Sequence, residues 1–567
     1  MELAYMRGKS VDRDGIDVFR GINKQPRIAD GEFRDMMNMR GDEYPCITTR
    51  GGRAYLRDIA KPNGLCANGK LAWVDGTSFW FGGKEYPDAV EDSPKTMVAM
   101  GAQIIIFPDK LRFNTVTEAF DPLEHEVTAE AGVYICNLYG QPYTYATAKP
   151  EEPADGAYYL DTEAGALYVF SEALASWQPV PTVYAKIEAT GIGAGFKVND
   201  GITVSGIDAL NGTHIVRAVG TDYVIVIGIL PAAISKAQVT LSRKVPELDF
   251  VCEQNNRLWG CRYGMQGDAF VNEIYACSLG DPTNWAQFDG TSMDSYRLSL
   301  GSAGPFTGIV SHLGSVMAFK EDVIHTVYGN YPANFRAEDT RARGIAAGSA
   351  ASAAITQETL LYLSPDDVCA IGTGLPGGIS EGLAPLELRG GIGGIYERQY
   401  YLACKDRDDQ RHLLVYDTDN GVWYREDDLP VEYMAACHGD LYLIADGKLY
   451  AESGDLTRYA GSDAAYIPAE AWMLESGTIG LKYPEHKYIS QLMIRLEAMD
   501  AGTISCEVRY DNDDEWRNVF ERDVTKKDNV RISVRPRHCD TMQYRLSGTG
   551  RIRLYSIVKH TETAEEW

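Results

Sequence analysis

The sequence predicts an all-β protein: a β-propeller with an inserted small β-domain and a C-terminal β-sandwich. Three observations predict it. Short apolar runs recur in pairs joined by turns of Asp, Asn or Gly. The 56 Gly and 34 Tyr suit tight turns and strand positions respectively. The only segments that read as helical are short, at 31–39 and 346–354.

The paired runs begin with Leu71–Val74 and Phe79–Phe81 around Asp75-Gly76, then Ile104–Phe107 and Leu111–Phe113 around Pro108-Asp109. Both have the pattern of hairpins. Asn256–Trp259 leads to Glu273–Ala276, and Ser315–Phe319 crosses Lys320–Asp322 to Val323–Tyr328, the clearest pair of the set. Leu360–Leu363 with Val368–Ile371, His412–Tyr416 with Val422–Tyr424, and Leu441–Ile444 with Lys448–Tyr450 complete the series. Their spacing, on the order of 40 to 50 residues, is that of propeller blades, although no WD or kelch signature accompanies it. A blade buries its faces only against other blades, so a propeller read this way must close into a ring.

Between 125 and 245 the rhythm changes. One piece runs from Gly156 to Trp177; a second carries Ile202–Val204, a turn at Asn211-Gly212, His214–Val216 and Tyr223–Ile229, which suggests a small barrel or sandwich. Beyond about 470, alternating strands such as Ile504–Tyr510 and Ile552–Tyr555 predict the sandwich. The expected division is 1–124 for the N-terminal segment and first blades, 125–245 for the insertion, 246–470 for the remaining blades and 471–567 for the sandwich.

The chain carries 80 acidic and 54 basic residues, a formal charge of -26. A wide basic surface for a phosphate backbone is therefore not expected, whereas a negative wall suits a polymer that must slide past it. No apolar run reaches the roughly 18 to 20 residues of a membrane span, and Met1–Arg20 carries charges where a signal peptide is apolar. The expectation is a protein made in the cytoplasm, with no membrane span. The eleven Cys lack a CxxC pair and read as reduced thiols.

No motif points firmly to chemistry. The glycines at Gly372, Gly374 and Gly377 match a nucleotide fingerprint, but Pro376 interrupts it and no helix is expected to follow. The acidic clusters Asp406–Asp409 and Asp511–Glu515 lack the alternating ligand pattern of a calcium loop and read as hairpin turns. Asp417–Trp423 is similar to the Asp-rich turns of sialidase propellers, where that turn is structural. There is no Gly-x-Ser-x-Gly elbow and no His-Glu-x-x-His, and 80 carboxyl groups offer no way to choose a glycosidase pair. The expectation is a non-enzymatic chain with no catalytic residue, no metal ligand and no cofactor. Arginines cluster near both ends, and Arg50, Arg53, Arg535 and Arg537 are the candidate subunit contacts, since Arg pairs well with carboxylates. The same residues also suit salt bridges on ordinary strand faces.

Several segments resemble one family. They are Phe19-Arg20-Gly21-Ile22-Asn23, Met37-Asn38-Met39 and Tyr44–Arg53; Asn256-Arg257-Leu258-Trp259, Asp281-Pro282-Thr283-Asn284-Trp285, Gly314–Phe319 and Arg343–Ala347; and Arg535–Asp540 with Tyr544–Gly548. Together they are similar to the packaged-DNA stabilisation, or tail hub (nozzle), proteins of short-tailed bacteriophages. The resemblance implies a virion protein of the tail, assembled in the host cytoplasm as a homo-hexameric ring beneath the portal and adaptor. Such a ring retains packaged DNA, forms part of the ejection channel without reading DNA sequence, and meets a tail spike, fibre or needle. The alternatives are a glycan-binding or glycan-cleaving propeller protein, and a tail-tip or baseplate component of a long-tailed phage.

Overall fold

The computed structural model describes residues 10–459, 464–481, 487–511, 513–534 and 539–563. Strands make up the regular structure of the described chain, and the only helical pieces among the described residues are short 3₁₀ turns. The expected all-β class, with propeller-type sheets, an inserted β-domain and a terminal sandwich, is what the chain adopts. It divides into two compact units, residues 1–94, 319–324 and 341–567 in the first and 95–318 and 325–340 in the second.

In the first unit, consecutive antiparallel hairpins build four-stranded sheets at 62–86, 354–378 and 389–425. A further sheet joins Val431–Cys437, Asp440–Ala445 and Lys448–Ala451 to Arg53–Asp58, a strand from the opposite end of the chain, with Ala465–Ile467 beyond it. The predicted turn at Asp75-Gly76 is a hairpin corner, and Gly447 forms another between Asp440–Ala445 and Lys448–Ala451, each glycine with positive φ.

The sandwich draws on the N-terminus in both layers. One sheet contains Ser10–Ile16, Met39–Arg40 and Ile47–Thr49 beside Lys487–Ala498, Asp528–Ser533 and Ile552–Thr563. The other sets Phe33–Met37 at the edge of Trp472–Ser476, Met542–Thr549, Gly502–Tyr510 and Arg517–Val524. Burial alternates along Gly502–Tyr510, so Ile504, Cys506 and Val508 meet Leu492, Ile494 and Ile557 of the facing sheet in one core. Phe19 and Phe33 stack in the same core, their rings 6.1 Å apart.

The segment 31–39, expected as a helix, is instead the strand Phe33–Met37. A register shift between Phe33 and Asp35 turns both Phe33 and Met36 inward, and that spacing of three imitates a helical face. In 346–354 only Ala350–Ser352 forms a single 3₁₀ turn.

The second unit holds the sheets of 96–122 and 250–299, most residues of the sheet of 308–341 and, within 125–243, a closed six-stranded barrel. Its long strand His125–Cys136 pairs with Ile234–Arg243 through one half and Tyr184–Glu188 through the other, shifting register between Ala131 and Val133. That bulge bends the strand around the barrel, and closure leaves no unpaired edge. Val133, Ile187, Val204, Val224 and Leu241 fill the interior. A small sheet from Tyr145 to Pro179 is set into one barrel connection.

Among the described residues no helix is long and apolar enough to cross a membrane. All eleven cysteines are free thiols, eight of them buried.

Gly21 shows how tightly the N-terminal segment is seated. Its φ is +73°, and a Cβ there would lie 2.0 Å from the Trp423 carbonyl oxygen, which already accepts the Ile22 N–H at 2.8 Å. Gly83 shares the left-handed backbone, φ +87°, but a Cβ there meets nothing within 4 Å. Gly21→Ala is expected to lose about 3 kcal/mol or more in urea unfolding, against about 1 kcal/mol for Gly83→Ala. Equal losses would show that the backbone conformation, not the close approach, sets the constraint.

Candidate functional site

Arg40, Arg50 and Arg53 converge on a buried charge cluster of the first unit. Arg53 opens the strand that completes the 431–467 sheet, and Arg50 lies one turn before it; both are buried, 5% and 7% exposed. Arg53 donates through Nε to Glu452 at 2.7 Å, through Nη1 to Asp427 at 2.6 Å and through Nη2 to Glu426 at 2.6 Å. Arg50 donates to Asn38 at 2.6 Å and to Asp427 at 3.1 Å. Arg40 lies 3.5 Å from Glu426 and 3.6 Å from Glu452, donates to Gln399, and sits 5.9 Å above the Tyr401 ring. Three arginines thus face three carboxylates inside the protein.

The electrostatics follow from that confinement. Burial pulls the Arg53 guanidinium down, but Glu452, Asp427 and Glu426 together hold it well above its ordinary value. Burial raises the Asp427 carboxyl, and Arg53 and Arg50 outweigh it, leaving the group below the usual range. Glu426 behaves oppositely: full burial and the neighbouring Glu452 carboxylate push it up to about 7 against the pull of Arg53, Arg40 and Arg50.

Arg50 and Arg53, candidates for contact with another subunit, therefore spend their charge on acids of their own chain. Arg535 and Arg537 lie outside the described residues. The sequence marked the two arginines but not their partners, because Glu426, Asp427 and Glu452 are distant in sequence and stand among 80 acids.

Above this cluster opens a cleft of about 620 Å³. Arg40 and Glu452 line it together with Asp42, Tyr44, Tyr396, Glu397, Arg398, Asp417, Asp419 and Asn420. Asp42 accepts from Arg40 at 3.1 Å and from the Gln399 amide at 3.2 Å, and Arg398 reaches Asp419 at 3.0 Å. Carboxylates, guanidinia, amides and tyrosines on one open wall can donate to and accept from a polyhydroxylated ligand.

The turn at Asp417 is structural in its bonding. Asp417 Oδ1 accepts the Asp419 and Asn420 N–H groups at 3.0 and 3.1 Å, while Trp423 Nε1 donates to the Ile379 carbonyl at 2.8 Å. Asp406 accepts the Asp408 and Gln410 N–H groups, each at 2.9 Å, and lies 3.0 Å from His412 Nε2. Asp511 accepts the N–H groups of Asp540 and Thr541. Gly372 and Gly374 precede the two-residue strand Gly377–Gly378, which is followed by a 3₁₀ turn rather than an α-helix. Among the described residues no three His, Cys, Asp or Glu side chains form a group able to hold a metal ion.

No protein-family model matches the sequence, and no curated protein matches it. Among solved structures, the chain is similar to Hsv2 of Kluyvelomyces marxianus, with 12% identity over 67% of this chain and 98% of that one, TM-score 0.24. It is similar to the endosialidase of phage phi92, with 11% identity over 76% of this chain and 74% of that one, TM-score 0.24. It is also similar to a GH43 glycoside hydrolase engineered for endo-xylanase and exo-arabinofuranosidase activity, with 8% identity over 56% of this chain and 98% of that one, TM-score 0.21. The expectation of a non-enzymatic chain is corrected by this result: two of these three proteins are enzymes. At such identities and TM-scores the likeness assigns no activity.

Two outcomes test the charge cluster. Arg53→Ala leaves the buried Glu426 and Glu452 and the half-buried Asp427 short of a counter-charge and is expected to cost about 3–5 kcal/mol in denaturant unfolding. Because the Glu426 carboxyl is raised in the folded protein, its contribution is complete below its unfolded value and is lost as pH rises through about 7. Glu426→Gln cannot titrate, so the melting temperature of the natural protein is expected to fall relative to this variant between about pH 5 and pH 8. Parallel profiles would show that Glu426 stays ionised throughout.

Proposed function

We propose that the chain is a structural subunit of a bacteriophage tail, a hub or nozzle protein that assembles into a ring below the portal and adaptor, retains packaged DNA and conducts it on ejection. The observation that carries the reading is where the phage-like segments fall. Gly21 is seated against Trp423, and Arg50 and Arg53 hold the buried charge cluster. In the second unit Arg257, almost fully buried, donates to the carbonyls of Cys277, Asp294 and Ser292 at 2.6–2.7 Å. Asp281 accepts from Thr283, and Trp285 Nε1 donates to the Pro282 carbonyl at 2.8 Å. Motifs of this kind preserve an architecture, which is what a resemblance between structural subunits requires.

The mechanism is mechanical and electrostatic. With a formal charge of -26, the chain supplies an acidic excess; acidic groups along a channel repel DNA phosphates within a Debye length of roughly 10 Å and keep the polymer from adhering. Homo-hexamer formation, a spike, fibre or needle partner and residence in the virion belong to the same proposal.

The cleft over Arg40 and Glu452 favours a second reading, a propeller protein that binds or cleaves host-surface glycan. Its tyrosines and paired polar groups are the chemistry such a ligand needs.

Negative-stain imaging of the purified protein, alone and with portal and adaptor, separates the two. Rings that dock beneath the adaptor are the expected result. Discrete particles that ignore the adaptor, together with saturable polysaccharide binding lost in Arg398→Ala, would establish the glycan reading instead.

A further inference from the structure

The second unit brings together three side chains that the sequence keeps apart. Ser302 lies in the connection after the strand Tyr296–Ser299, His325 in the middle of Val323–Tyr328, and Asp339 in Arg336–Arg341, the strand beside it. Ser302 Oγ is 2.8 Å from His325 Nε2, and His325 Nδ1 is 2.6 Å from Asp339 Oδ1. One imidazole thus carries a hydroxyl on one nitrogen and a carboxylate on the other. That pairing selects a tautomer: Nδ1–H donates to Asp339, and the Nε2 lone pair accepts the serine proton.

The surroundings suit a held base beside a reachable hydroxyl. The His325 side chain is fully buried, with the Phe306 ring edge-on at 6.5 Å, so its orientation is fixed by packing as well as by Asp339. Asn272 Nδ2 donates to the carbonyls of Leu300 and Ser302 at 3.0 and 2.6 Å and anchors the loop. Gly301 and Gly304 flank Ser302, and a Cβ at either meets nothing within 4 Å. Ser302 itself is half-buried on that open loop.

We infer that Ser302, His325 and Asp339 form a serine-nucleophile site for short-chain acyl esters of alcohols. The open loop favours a small acyl group presented from solvent, and the exposed Asp339 and Glu338 carboxylates disfavour an anionic one. Ser302 Oγ bonds to the ester carbonyl carbon as its proton passes to His325 Nε2. The bond from that carbon to the alcohol oxygen then breaks, and the Nε2 proton goes to the leaving oxygen. Water repeats the sequence on the acyl-serine: its proton moves to Nε2, its oxygen takes the acyl carbon, and Ser302 leaves with the proton. The products are an alcohol and a carboxylic acid, and nothing beyond water is consumed. Ser302 and His325 are the catalytic residues, and Asp339 is a positioning residue. The inference rests on neither reading of the chain's wider function.

The test uses the full chain, a fluorophosphonate probe and p-nitrophenyl acetate. The expected result is a probe adduct on the peptide containing Ser302, and ester hydrolysis reduced about 100-fold or more in Ser302→Ala, with unchanged far-ultraviolet circular dichroism. Asp339→Asn should keep the adduct site but slow labelling and shift its pH profile, a change a packing role alone does not produce. A natural protein whose Ser302 is never labelled, or a Ser302→Ala variant that hydrolyses the ester at the natural rate, would reduce the constellation to a hydrogen-bonded strut and overturn the inference.

Discussion

The first unit depends on the buried ion cluster that ties its N-terminal segment to the far end of the chain. Arg53 and Glu426 are 373 positions apart in sequence, yet one guanidinium spans Glu426, Asp427 and Glu452. Around that point the N-terminal strands enter three sheets: both layers of the sandwich and the sheet of 431–467. Hydrogen-bonded pairing supplies the direction of each strand, but the cluster fixes which carboxylates the segment must find. A buried charge without its partner is costly, which favours the docking that brings these three arginines to these three acids.

The period-two alternation and the hairpin turns made the fold class legible, because both are local. Ser315–Phe319 and Val323–Tyr328 are strands as read, and so are Ile504–Tyr510 and the core of 552–563. What local reading misses is pairing across the chain. Nothing in Arg53–Asp58 announces that its neighbour will be Lys448–Ala451. A bulge gives the buried residues of the strand Phe33–Met37 helical spacing, which a local pattern does not tell from a helix. The candidate site was legible only in part: Arg50 and Arg53 stand out in a basic cluster, whereas their acids, and the meeting of Ser302, His325 and Asp339, exist only after folding.

Electrostatics acts at two scales in this protein. The overall charge of -26 is spread over solvent-facing carboxylates, where water and salt screen it. Beneath the cleft, the balance of Arg40, Arg50 and Arg53 against Glu426, Asp427 and Glu452 is local and unscreened. The acid excess therefore bears on partners and solubility, and the buried cluster on shape.

The strand Arg53–Asp58 also carries a consequence for synthesis. It leaves the ribosome well before its partner Lys448–Ala451, which follows about 390 residues later. At roughly 5–20 residues per second, the interval is on the order of 20–80 seconds. For that time an unpaired strand edge and three arginines wait without their counterparts. Over that interval the shared acidic charge of sister chains, -26 for the whole sequence, opposes their association.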